Sequence, residues 1–137
     1  MPYVFGVFMV DVVLVDDDEL TRTALRLLLR EANFVVVGEA NNGIAGFTMV
    51  ERLLPEIVCL DIQMPEMDGL TLLEKIKASW PDIAVLMITA SADRQSVGRA
   101  LALGAAGFIV KPFNADRVVK SVRAAARLQT FGQSITS

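Results

Sequence analysis

Five short apolar runs, rich in β-branched residues, constrain this chain more than any other feature. They are "DVVLVD" (11–16), "FVVVGEA" (34–40), "EIVCLD" (56–61), "IAVLMITA" (83–90) and "AGFIVK" (106–111). Their apolar residues run on without polar alternation, the pattern of strands covered on both faces of a parallel sheet. Parallel neighbours need crossover connections, and a helical pattern fills each gap. Residues 21–32 carry Leu25, Leu28 and Leu29 at helical spacing. Residues 44–54 carry Phe47, Val50 and Leu54 before Pro55, and residues 69–79 carry Leu70, Leu73 and Ile76 before Trp80-Pro81. Residues 96–103 are Ala/Leu-rich and stop at Gly104, a C-terminal cap. Asn114 or Asp116 caps a last helix bearing Val118, Val119 and Val122. Five βα units in succession predict an α/β fold, with an open parallel sheet, right-handed crossovers and helices on both faces.

The length of 137 residues suits one core. Apolar residues make up 53% of the chain, which argues against disorder. The formal net charge of -3 gives no electrostatic reason to expect direct nucleic-acid binding. Cys59 is the only cysteine, so no disulfide forms within the chain; it reads as a small buried hydrophobe of a reducing compartment. There are no histidines, which excludes any mechanism that needs a histidine of this chain. The opening "MPYVFGVFMV" lacks a basic region and a cleavage site, and Asp11 interrupts it well short of a membrane span. A cytoplasmic protein without a membrane partner is expected.

In such a sheet, ligands bind at the carboxyl ends of the strands. Strand one ends in Asp16 and Asp17, strand three in Asp61, strand four in Thr89-Ala90-Ser91, and strand five in Lys111-Pro112. Each residue has an ordinary explanation when taken alone. Acids before a helix serve as caps, and Asp68-Gly69 is a turn and cap. Together they bring three carboxylates, a hydroxyl and an ammonium to one mouth. Two carboxylates about 4 Å apart repel by roughly 4 kcal/mol at an effective dielectric near 20. One lysine does not balance three acids, so either a proton or a cation completes the site. A hard divalent ion with oxygen ligands, such as Mg²⁺, fits this chemistry.

The ordered set "LVDDDELTR", "CLDIQMPEMDG", "MITA" and "GFIVKPF" resembles the receiver domains of bacterial two-component response regulators, the chemotaxis regulators among them. The resemblance covers about residues 11 to 128. It implies a flavodoxin-like (βα)5 sandwich with sheet order 2-1-3-4-5. It implies a signalling phosphoacceptor that at most catalyses its own phosphorylation and dephosphorylation. In that reading Asp61 takes a phosphoryl group from a phosphohistidine on a sensor kinase or phosphotransfer protein. Asp17, Asp61 and the backbone carbonyl of Gln63 would hold Mg²⁺, and Asp16 would act through a water on the metal. Lys111 would pair with Asp61 and the phosphoryl oxygens. Thr89 would hydrogen-bond the phosphoryl group, and Phe108 would repack in response. The Lys111-Pro112 bond is often cis in the family. Gln63 stands where several members have Asn, Ser91 where some have an acid, and Phe108 where Tyr is common.

Three other readings explain less. A flavin electron carrier would need a Ser/Thr/Gly-rich first loop, whereas "DDDELTR" repels phosphate. An aspartate-nucleophile phosphatase would use Asp16 and Asp18 and leave "LDIQMPEMDG" unexplained. A pseudo-receiver acting only as an interaction module would not need the full set of Asp16, Asp17, Asp61, Thr89 and Lys111. Residues 1–8 are expected as an apolar extension that packs on the domain, lengthens strand one or pairs with another chain. Residues 9–128 form the receiver, and 129–137 a fraying tail. The last helix is expected to present Arg117, Lys120, Arg123 and Arg127 outward, as the docking face for an effector or a second protomer.

Overall fold

The computed structural model describes the main chain of residues 3–4 and 7–136 and the side chains of residues 9–126. A short antiparallel pair, β1 (Tyr3–Val4) and β2 (Val7–Phe8), precedes the main body. Then come β3 (Asp11–Val15), α1 (Glu19–Glu31), β4 (Val35–Ala40), α2 (Gly43–Leu53), β5 (Ile57–Leu60) and α3 (Gly69–Ser79). The chain closes with β6 (Ala84–Thr89), α4 (Arg94–Ala102), β7 (Gly107–Val110) and α5 (Ala115–Thr136). The five-stranded sheet has the order β4-β3-β5-β6-β7, parallel throughout, which is the expected 2-1-3-4-5 arrangement.

The strands read as continuous apolar runs because both faces are covered. One set of side chains (Val13, Val15, Val58, Leu60, Val85, Met87) packs against α2, α3 and α4 through Val50, Leu72, Leu73, Ile76 and Ala100. The alternate set (Val12, Leu14, Ile57, Cys59, Leu86, Ile88, Ile109) packs against α1 and α5 through Leu25, Leu29, Val118 and Val122. Fully burying one such Leu, Ile or Val contributes about 1.5–3 kcal/mol. Cys59 sits in the second layer, and burial pushes its thiol up to about 12.

The element ends differ from expectation in several places. Helix α1 begins at Glu19, because the carboxylate of Asp18 accepts from the Leu20 amide and caps it. Helix α4 begins at Arg94, capped by Asp93 at the Ser96 amide. Leu54 does not continue the core face of α2. It ends the helix in the left-handed region, at φ 45°, and is exposed, while Leu53 packs inward. Val119 is only half-buried, unlike Val118 and Val122. The main chain of α5 runs on to Thr136, through most of the segment expected to fray. The side chains of residues 1–8 and 127–137, Arg127 included, lie outside the described residues. No helix among the described residues is long and apolar enough to cross a membrane.

Candidate functional site

The three consecutive aspartates after β3 have separate tasks. Asp16 is buried at the strand end, where its amide donates to the Ala40 carbonyl at 3.0 Å. Its Oδ1 accepts from the Asp18 amide at 2.9 Å, and its Oδ2 accepts from Lys111 Nζ at 2.8 Å. Asp17 is exposed at the mouth of the sheet. Asp18 turns away to cap α1, and its bond from the Thr21 hydroxyl at 2.6 Å holds its carboxyl below the usual range.

Asp61 follows β5 and is also buried. Its amide donates to the Val15 carbonyl at 3.0 Å, which ties it to the end of β3. Its Oδ2 accepts from Lys111 Nζ at 3.1 Å. Its Oδ1 is fully buried and has no hydrogen-bond partner. Carboxylate oxygens of Asp16, Asp17 and Asp61 lie within 4.8 Å of one another. At that separation each pair repels by about 3 kcal/mol at an effective dielectric near 20.

Lys111 answers this charge from the end of β7, across a cis bond to Pro112. Burial pulls its ammonium pKa down, but the bonds to Asp16 and Asp61 more than reverse this and hold it raised. Burial pushes the Asp16 carboxyl up, and the charge of Asp61 adds to the push against the Lys111 bond. One cation therefore leaves the three acids under-neutralised. The orphaned Asp61 oxygen and the oxygen-only donor set fit a hard divalent cation.

Thr89 ends β6 and is buried, with its hydroxyl accepting from the Ser91 amide at 3.2 Å. Its carbonyl accepts from the Lys111 amide at 2.9 Å, which joins it to the lysine strand. Gln63 is exposed and lines a cleft of about 560 Å³ together with Asp17 and Asp68. Phe108 is half-buried on β7, opposite Met87, and packs on the α2–α3–α4 side of the sheet. The structure thus joins Asp16, Asp61 and Lys111 by direct ion pairs, brings an Asp17 carboxylate oxygen within 4.8 Å of those of the other two acids, sets Thr89 beside them through the backbone, and leaves Phe108 half-buried on β7.

Two supporting residues escape sequence reasoning. Arg22 donates to the Asp16 carbonyl at 2.6 Å and reaches Glu39 at 3.2 Å, so it braces the Asp16 backbone. Only its position one turn into α1 hints at this. Gly69 lies so close to the site that an added Cβ would stand 1.9 Å from the Asp61 carbonyl oxygen. The turn reading of Asp68-Gly69 finds the cap, which accepts from the Thr71 amide at 2.9 Å, but not this approach.

A family model described as the response regulator receiver domain matches residues 12–123. The chain is 41% identical over 119 residues to a chemotaxis protein CheY of Listeria monocytogenes, covering 87% of this chain and 100% of that one. It is similar to a CheX-CheY-BeF3-Mg complex structure from Borrelia burgdorferi, with TM-score 0.82, 33% identity and coverage of 85% of this chain and 88% of that one. A CheY-like receiver domain protein from Methanospirillum hungatei shares the fold, with TM-score 0.86, 23% identity and coverage of 90% and 98%. With three acids and a lysine meeting at the carboxyl end of its parallel sheet, and the family model spanning most of its length, the chain belongs to the response regulator receiver domains.

Proposed function

We propose that this receiver accepts a phosphoryl group on Asp61 from a phosphohistidine of a sensor kinase or phosphotransfer protein, and that the change at the site switches a protein-interaction surface. The observation that carries the reading is the buried, unpartnered Oδ1 of Asp61 within an acid cluster that holds one lysine. Burying such an oxygen without a partner costs free energy, and a bound cation or an incoming phosphoryl group would offset that cost. The Borrelia burgdorferi relative is described in complex with BeF3 and Mg, which supports the same chemistry here.

Asp16, Asp17, Asp61 and the Gln63 backbone carbonyl would hold Mg²⁺. Bound there, the ion supplies the positive charge that the acids and the phosphoryl oxygens require. Phosphoryl transfer depends mainly on positioning and charge stabilisation. An oxygen of Asp61 attacks phosphorus as the P–N bond of the phosphohistidine breaks. The imidazole leaves as a neutral ring, protonated on its other nitrogen. Lys111, already within reach of Asp61, moves part of its hydrogen bonding to the phosphoryl oxygens. The hydroxyl of Thr89, which accepts from the Ser91 amide, donates its own proton to a phosphoryl oxygen, and Phe108 repacks on the strand that leads to Lys111. The exposed face of α5, with Arg117, Lys120 and Arg123, docks an effector or a second protomer. The protein acts in the cytoplasm as a signalling component.

Labelling with acetyl phosphate in Mg²⁺ tests the assignment. Asp61→Asn should abolish acyl-phosphate formation while circular dichroism stays native. Undiminished labelling of the folded variant would overturn the choice of Asp61.

A further inference from the structure

The loop between β5 and α3 begins at Asp61 and carries the Gln63 carbonyl. It is irregular, with Glu66 in the left-handed region at φ 71°, and its internal main-chain bonds are few: Met67 to Pro65 at 2.8 Å and Gly69 to Ile62 at 2.7 Å. Its shape therefore depends on what it leans against. Its start, at Asp61 and Ile62, leans on Gly69, as described above. Near its end, at Met67, it leans on Gly43, the first residue of α2, an element that supplies no side chain to the acid cluster. A Cβ added at Gly43 would stand 2.4 Å from the Met67 carbonyl oxygen and 2.6 Å from Met67 Cβ, closer than real Cβ contacts come. Gly43 is buried and helical, so it is needed for space and not for an unusual backbone angle.

We infer that Gly43 is a positioning residue for the phosphoacceptor site. By letting the first turn of α2 press against Met67, it fixes the path of the loop and thereby the Asp61 carboxylate and the Gln63 carbonyl. The inference rests on the phosphoacceptor reading for its consequence in chemistry, but not for its geometry. Any side chain at residue 43 must move loop backbone or the start of the helix, because the obstructing atoms are backbone and Cβ rather than a flexible tip. Misplacement of reacting groups by about 1 Å costs up to about a hundredfold in rate, and a shift of about half an ångström corresponds to about tenfold on that scale.

Gly46, one turn further along α2, supplies the control. A Cβ there would meet Val15 Cγ1 at 2.8 Å and Leu72 Cδ2 at 3.2 Å, which are core side chains and not the loop. Gly43→Ala and Gly46→Ala should both lower the melting temperature. Only Gly43→Ala should shift the amide resonances of residues 62–68 in Mg²⁺-free protein. It should also weaken Mg²⁺ binding and slow acetyl phosphate labelling by about tenfold. Should Gly43→Ala fail to fold, Met67→Gly removes the Cβ of that contact without inserting an atom and should move the same resonances and the Mg²⁺ affinity. Loop resonances and Mg²⁺ affinity unchanged in the folded Gly43→Ala protein, or in Met67→Gly where the former does not fold, would overturn the inference. If the wild type takes no label at all, the phosphoacceptor reading fails, while the loop resonances still report on the brace.

Discussion

Lys111 Nζ sits between Asp16 Oδ2 and Asp61 Oδ2 at 2.8 and 3.1 Å, and the acids' side chains are 4% and 8% exposed. Removing one member of a buried ion pair strands its partner and costs about 3–5 kcal/mol, less where water reaches the site. Lys111→Met should therefore lose about 2–3 kcal/mol of unfolding free energy in urea with EDTA, and Mg²⁺ should restore more stability to the variant than it adds to the wild type. Equal stability of the two proteins in EDTA would show that Lys111 does not balance the acids. These residues were legible in the sequence because each ends a strand, and strand ends converge in a parallel sheet. Arg22 and Gly43 were not, because their contacts depend on how a helix sits against a strand or loop distant in sequence. Glu56 at the other end of the sheet was also unread. Burial first, and the Asp11 charge second, raise its pKa from 4.5 to about 7, while its amide donates to Asp11 at 2.9 Å. A raised carboxyl keeps its proton in the folded state after the unfolded chain has lost it. Stability from this group is thus fully present below pH 4.5 and is lost as pH rises to about 7. Discounted for partial solvation, the loss is about 1 kcal/mol. Glu56→Gln should flatten the stability profile between pH 4.5 and pH 7, as read by urea unfolding at both ends. A profile as steep as the wild type's would exclude Glu56 as the titrating group.

Every one of the five helices starts on a short polar side chain that accepts a backbone amide: Asp18, Asn42, Asp68, Asp93 and Asn114. Asp68 stands out in the sequence because Gly69 follows it, and Asn114 is one of two caps, with Asp116, that the sequence offers the last helix. Asp18 and Asp93 are masked by neighbouring acids and by Ser96, so the apolar period alone starts α1 and α4 two residues late. The end of α2 shows a different limit. Pro55 signals that the helix stops, and the period then assigns Leu54 to the buried face. The proline cannot say that the residue before it has already left the helix. Leu54 instead adopts φ 45° with 55% of its surface exposed. A left-handed conformation costs a residue with a side chain about 1–2 kcal/mol, and glycine escapes most of this. Leu54→Gly should accordingly stabilise the protein by about 0.5–1 kcal/mol, the rest being lost to unfolded-chain entropy. A lower urea midpoint for the variant would mean that the Leu54 side chain makes contacts worth more than the strain.

At the scale of the molecule, the apolar runs and the gaps between them implied five parallel strands with helices on both faces, since unalternating strands have no solvent side. The order of the strands came from the family resemblance, because apolar patterning does not distinguish one parallel neighbour from another. The register shift between β3 and β4 at Val12/Val13 has no mark in the sequence. The first residues divide in the same way. Their apolar, β-forming composition suggests a strand, and an extension of strand one is one arrangement open to it. The main chain instead pairs Tyr3 with Phe8 and Val4 with Val7, a hairpin of its own, and the five-stranded sheet begins its register at Asp11. Among the described residues, the sheet takes its first outside bond at Val10, whose carbonyl accepts from the Val35 amide at 3.0 Å. No strand of the five pairs with β1 or β2. The four charged groups of the site follow β3, β5 and β7, and none comes from residues 1–8. A chain starting at Met9 should therefore unfold in urea with the same free energy to within about 0.5 kcal/mol, the range of changes away from any core or cap. It should also keep the Mg²⁺-dependent acetyl phosphate labelling rate of the full chain. A loss of more than about 2 kcal/mol, the scale of a missing core side chain, would assign residues 1–8 to the core. Retained stability with slowed labelling would place them at the phosphoacceptor end of the sheet, opposite to where β3 begins.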